Sequence, residues 1–244
     1  MRSDQKALAE IYSRIITESN GNKVIRGDVI LDTLYLKELP EWLADVEVKN
    51  DFICSYNQLT SLKGSPRIVR GKFKCVGNRL ASLEGAPEIV GGDFDCSNCR
   101  LTSLVGAPQK TGDFRCDNNR LTTLEGSPQI AGNFYCFQND LTTLKGGPQK
   151  VDNFVCNKNK LTTLDGAPQD VKDSFMCDNN KLVSLVGAPR EINGSFSCMD
   201  NQLTTLDGAP RKVGRHFYCT NNSVKFTRDD VKAVVDGFTG GVIA

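Results

Sequence analysis

The sequence is poor in the residues that catalysis draws on. It holds one histidine, His216, so no second histidine is at hand to complete a nucleophile–base pair or a zinc cluster. No G-x-x-x-x-G-K motif followed by Ser or Thr is present, which excludes the common phosphate loop. The acids are scattered, and no spacing forces two of them into one low-dielectric pocket. No enzyme activity, cofactor or metal is expected. Neither charge sign dominates: 30 Lys and Arg stand against 29 Asp and Glu, a formal net charge of +1. Binding driven by nucleic-acid phosphates calls for a clustered basic excess, which this balance lacks. No run approaches the roughly 18 apolar residues that a membrane span needs. The opening MRSDQKALAEIYSRIITESN has neither an unbroken apolar stretch nor a small-residue cleavage site, so it does not read as a signal peptide. A soluble, cytoplasmic protein is expected, unless it is exported by a route that leaves no such signal.

Cysteine, by contrast, is plentiful, with ten residues. Cys54, Cys75, Cys96, Cys116, Cys136, Cys156, Cys177, Cys198 and Cys219 recur every 20 or 21 residues. A cysteine held at one place of a repeat is a small apolar core filler, and a reducing compartment disfavours disulfides. Aligned on these cysteines, the unit reads F-x-C-x-x-N-x-L-x-x-L-x-G-x-P. Phe stands two residues before each cysteine, from Phe52 to Phe217, and Leu five residues after, from Leu59 to Leu203, with Val224 in the last place. A second leucine row runs from Leu62 to Leu206, and the Gly–Pro pair from Gly64 and Pro66 to Gly208 and Pro210. Self-similarity at this period marks a stacked array, in which one unit cannot bury its apolar face alone.

The unit is similar, position by position, to the leucine-rich repeat L-x-x-L-x-L-x-x-N/C-x-L. Phenylalanine takes the second leucine place and cysteine the third. The first place is Val69, Val90, Thr111, Ala131, Val151, Val171, Ile192 or Val213. The alternating F-x-C segment is expected as a half-buried strand. The amide that closes it is expected to satisfy turn backbone as a ladder of Asn57, Asn78, Cys99, Asn119, Asn139, Asn159, Asn180, Asn201 and Asn222. The Gly–Pro return is too short for a full helix and is expected to be extended or 3₁₀. The chain resembles the short-repeat leucine-rich proteins of bacteria and large bacteriophages, whose units read close to CxxNxLTSLxGxP; Leu39-Pro-Glu-Trp-Leu43 also resembles a bacterial effector subtype. The resemblance covers about residues 29–226. It implies a leucine-rich-repeat horseshoe with a parallel sheet on its concave face, short non-helical convex segments and helical caps at both ends. For function it implies binding of a target protein, with interference with a host protein in phage or effector settings.

One solenoid domain over 1–244 is therefore expected, with an N-terminal cap at 1–23, a degenerate first repeat at 24–50, nine repeats at 51–226 and a C-terminal cap at 227–244. Within the first cap, 4–19 reads as an amphipathic helix with Leu8, Ile11, Tyr12, Ile15 and Ile16 on one side, opened by Ser3 or Asp4 and stopped at Asn20-Gly21. Thr227 to Asp230 reads as a capping box opening a second helix with Val231, Val234, Val235 and Phe238. Cys96-Ser-Asn-Cys99 looks like half a zinc or redox motif, but in register Cys99 replaces its unit's asparagine, and no second C-x-x-C exists to complete a site.

The residues flanking the buried Phe and Cys are expected to face outward on the concave sheet. Early strands place Lys72, Lys74, Asp93, Asp95, Asp113 and Arg115 there. From the fifth unit on, the face becomes Tyr135, Phe137, Val155, Met176, Met199 and Tyr218. Aromatics and methionine are enriched at interface cores, so these six with Arg115 form the candidate surface for a protein partner. Two other readings stand beside it. One is nucleic-acid binding, with bases stacked on Tyr135 and Phe137 and charge from Lys72, Lys74, Arg115 and Lys158; interleaved aspartates oppose it. The other is a self-assembling structural element. No membrane partner is expected, and the sequence leaves the oligomeric state open.

Overall fold

The computed structural model describes residues 3–238 and 241–243. The chain packs as two compact units, Met1–Asn119 with Gly126–Pro128 and Arg120–Glu125 with Gln129–Ala244. Both are built from the same turn.

Each turn starts with Phe-x-Cys. The two named residues share one face of an extended segment, as the period of two requires, and both are buried. In the first unit the strands Val29–Ile30, Phe52–Ile53, Phe73–Lys74, Phe94–Asp95 and Phe114–Arg115 pair in parallel, with Val29 beside Phe52 and then Phe beside Phe. In the second, Phe134–Tyr135, Phe154–Val155, Phe175–Met176, Phe196–Ser197 and Phe217–Tyr218 do the same. This register stacks the rings, with centroids 5.1 Å apart for Phe73 and Phe94 and 5.3 Å apart for Phe154 and Phe175. Each stacked pair adds about 0.5–1.5 kcal/mol to the burial of its area. The ten cysteines are free and buried. Their thiols donate weakly to the next strand, as Cys96 Sγ does to Arg115 O at 3.2 Å and Cys177 Sγ to Ser197 O at 3.1 Å. Burial pushes the thiols of Cys54, Cys75, Cys96, Cys116, Cys156, Cys177, Cys198 and Cys219 up, that of Cys219 to about 11.

The asparagine ladder then closes each strand. Asn159 Nδ2 donates to Cys136 O and Cys156 O, both at 3.0 Å, while its Oδ1 accepts from Leu141 N at 3.0 Å. One amide thereby satisfies two buried carbonyls and one buried N–H from two successive turns. The residue before each asparagine takes a left-handed conformation, for example Lys158 at φ 54°. On the return, Gly166 sits at φ 87°, and a Cβ there would fall 2.6 Å from Lys145 N, so the turns stack too closely for a side chain.

The return also holds a second row of short parallel strands at the first repeat place. Ile68–Val69 pairs with Ile89–Val90 in the first unit, and Lys150–Val151 with Asp170–Val171 in the second. Thr111 and Ala131 are buried but lie outside any such strand.

The ends depart from expectation. The first helix, α1, spans Ser3–Ser13 and not 4–19, and Ile16–Thr17 instead forms a strand antiparallel to Lys23–Ile25. The β-branched Ile15-Ile16-Thr17 favours extended chain over helix, and pairing with Lys23–Ile25 supplies its hydrogen bonds. Of the expected apolar side only Ile11 is buried; Tyr12 is exposed and sets its ring edge-on to Trp42 at 5.1 Å. The second helix, α2, spans Arg228–Val234 and opens with the expected capping box, Thr227 Oγ1 accepting from Asp230 N at 3.2 Å and Thr227 N donating to Asp230 Oδ2 at 2.7 Å. Val231 and Val235 are buried, but Phe238 lies in the strand Gly237–Phe238 and not in the helix. Its side chain, like residues 1, 2, 239, 240 and 244, is outside the described residues. Val224, expected in the leucine row, is 43% exposed, and Phe226 buries in that region instead.

Candidate partner-binding face

The register of the second unit sets Tyr135, Val155, Met176, Ser197 and Tyr218 side by side. At the usual strand spacing they stand about 4.8 Å apart. Two residues on in each strand come Phe137, Asn157, Asp178, Met199 and Thr220. Strand alternation alone would set the six apolar candidates free in solvent, and the structure corrects this. Tyr135, Phe137, Val155, Met176, Met199 and Tyr218 are all half-buried, because neighbours one strand spacing apart cover part of each other's flanks. Tyr218 also stacks on His216, with ring centroids 5.6 Å apart.

Two polar features of this face were missed in the sequence. The first is Asp178, which is buried. Its carboxylate accepts from Ser197 Oγ, from Met199 N at 2.9 Å and from Asn157 Nδ2 at 3.1 Å. Burial among these neutral donors pushes it above the usual carboxylate range. The second is a ladder just before the phenylalanines: Asn153 Nδ2 donates to Asn133 Oδ1 at 2.7 Å, Ser174 N to Asn153 Oδ1 at 2.9 Å, and Ser195 N to Ser174 Oγ at 3.0 Å. The signal was available, since short polar side chains recur at that place through most of the chain.

The first unit fills most of the same three rows with charge, beside the apolar Ile30, Ile53 and Val76. Asp28, Asp51, Lys72, Asp93 and Asp113 precede the strand residues; Lys74, Asp95 and Arg115 lie within the strands; Asp32 and Asp117 come after them. Lys72 pairs with Asp93 at 2.9 Å. Arg115, the candidate in this unit, is half-buried and reaches Asp117 at 3.3 Å. Burial raises Asp117, and the Arg115 charge partly offsets the rise. Among the described residues no cluster of His, Cys, Asp or Glu is arranged to hold a metal. Cys99 is buried with its thiol directed at backbone, 3.0 Å from Cys75 O and 3.4 Å from Ser97 O.

No family model matches the chain, and no curated protein sequence does. Among solved structures, YopM from Yersinia enterocolitica WA-314 is similar with a TM-score of 0.54 at 15% identity, over 98% of this chain and 67% of that one. YopM is a leucine-rich-repeat protein. The fold is a leucine-rich-repeat solenoid. At this identity the likeness speaks for fold alone, and function has to be argued from the surface.

Proposed function

We propose that this chain is a non-catalytic protein-binding module that seats a partner protein on the strand face of its second unit. One observation carries the reading. Across three rows and five strands of that face, the acidic and basic residues are the buried Asp178 and the half-buried His216, while three aromatics, two methionines and Val155 offer apolar surface. Charge-depleted, aromatic- and methionine-rich patches are the composition of interface cores. The buried, free thiols fit a reducing cytoplasm, the host's if the gene belongs to a phage, and no described helix is long and apolar enough to cross a membrane. In that setting the module acts as an adaptor or inhibitor of a host protein, a role supported by the resemblance of its repeats to those of phage and bacterial proteins.

The test begins with capture of partners from host lysate on the immobilised protein, identified by mass spectrometry. Tyr135→Ala with Phe137→Ala should weaken binding of the identified partner at least about thirtyfold, as for aromatic anchors at an interface centre. Because both side chains are half-buried, melting falls as well, so binding is compared at a temperature where circular dichroism shows both proteins folded. Gln129→Ala with Gln149→Ala, on the return side, should leave affinity unchanged. If the glutamine pair abolishes binding and the aromatic pair does not, the face is wrongly assigned. A steep fall of affinity with salt would favour nucleic acid, and a concentration-dependent mass in solution would favour self-assembly.

A further inference from the structure

The asparagine ladder of the first unit breaks at one turn. Asn78 Oδ1 accepts from Leu59 N at 3.0 Å, and Asn119 Oδ1 accepts from Leu101 N at 2.8 Å. Cys99 stands between them and brings no such oxygen. Among the described residues the buried Leu80 N–H consequently has no acceptor. The chain compensates by turning: Asn119 Oδ1 takes Cys99 N at 2.9 Å as well, and Arg100 enters the left-handed region at φ 74°. A left-handed residue follows the substituted place also in the degenerate first turn, where Leu34 stands for the asparagine and Tyr35 sits at φ 58°. The turn at Cys99 has a second cost. Arg79 N donates to Leu59 O at 2.9 Å, but among the described residues the equivalent N–H of Arg100 has no acceptor.

The two arginines share one place in successive turns, six residues past Phe73 and Phe94, which pair in register. At about one strand spacing, like charges repel. Both are exposed, and neither makes an ion pair or side-chain hydrogen bond among the described residues. Several other charges one turn apart are paired with opposite sign: Lys72 with Asp93 at 2.9 Å, Arg67 with Glu88 at 3.3 Å and, at the same place of its turn in the second unit, Lys160 with Asp140 at 2.6 Å. The ring of Tyr56, 62% exposed, covers Gly77, where a Cβ would come within 2.7 Å of it.

We propose that the Arg79–Arg100 edge of the first unit is a carboxylate-binding site for a short acidic segment of a protein partner. The two guanidinium groups supply planar donor pairs matched to carboxylates, and the Arg100 N–H adds a third donor. A long polyanion fits less well, because Asp93, Asp95, Asp113 and Asp117 belong to the same unit and repel it. The site is independent of the apolar face of the second unit.

The test uses the full chain and a fluorescein-labelled peptide of four glutamates flanked by glycines, read by fluorescence anisotropy at low salt, with a single-stranded oligonucleotide of equal charge in a second arm. Wild type should bind the peptide, and Arg79→Gln with Arg100→Gln should lose at least about tenfold, since charged hydrogen bonds of this kind are individually strong. The equal charge change Lys63→Gln with Lys110→Gln should cost less than about threefold. Cys99→Asn keeps both arginines but restores the acceptor for Leu80; it should raise the melting temperature and weaken the peptide severalfold as the Arg100 N–H returns to the ladder. Absence of peptide binding, an equal loss in the lysine control, unchanged affinity in Cys99→Asn, or tighter binding of the oligonucleotide with the same arginine dependence would each overturn the proposal.

Discussion

The two units share a turn and differ in what they do with its outward face. In the first unit the rows around the strands carry Asp, Lys and Arg, some of it neutralised, between turns in Lys72–Asp93 and within one turn in Arg115–Asp117. In the second, the same rows carry Tyr, Phe, Met, Asn and Ser. Their interiors are alike, with stacked phenylalanines and cysteine thiols aimed at carbonyls in both. Core positions of a repeat are held by packing, while surface positions are free to diverge. A difference confined to the surface therefore points to what each unit meets, and not to how it stands up.

The ladder offers the strongest lever on this comparison. Asn139 Oδ1 accepts from Leu121 N at 3.0 Å and its Nδ2 donates to Cys136 O at 3.1 Å. Asn139→Ala orphans these buried groups and should destabilise by about 1–3 kcal/mol in urea denaturation. A change below about 0.5 kcal/mol would show that turn packing, and not the amide, holds the second unit.

Next come the two buried carboxylates. Asp117 has Arg115 beside it, whereas Asp178 has only neutral donors. Burial holds both above the usual carboxylate range, so the folded chain binds their protons more tightly than the unfolded chain does. Stability from this source is present at low pH and declines as pH rises from about 4 through the raised values. Asp178→Asn should remove its share of that decline and raise the urea midpoint at pH 7. Asp117→Asn should gain less, because it strands the Arg115 charge. Equal effects at the two sites would mean that Arg115 does not distinguish them.

Smallest of all should be charge reversal on the first unit's face. Lys74→Glu or Asp95→Lys should alter association of the partner severalfold at most, mainly in the on-rate and its salt dependence. A loss comparable with that of the Tyr135 and Phe137 pair would move the partner onto the first unit.

The period itself was legible in the sequence, and with it the parallel ladder, the buried phenylalanines and cysteines and the asparagine closing each strand, because nine copies of one pattern restate the same local chemistry. The outward identity of Tyr135, Phe137, Met176 and Met199 came from strand alternation alone. How far those side chains are exposed did not, since burial depends on neighbours 20 or 21 residues away in sequence. The same distance hid Asp178 beneath Ser197 and Met199, while the strand at Ile16–Thr17 has a nearby partner, its apolar spacing reading as helix until Lys23–Ile25 pairs with it. Cys99 shows the division most sharply. Sequence register alone explained why a cysteine stands there; only the folded turn decided its consequence for the backbone. A thiol can donate to Cys75 O but cannot replace the amide oxygen that Leu80 N–H requires, and the backbone twists at Arg100 to meet the difference.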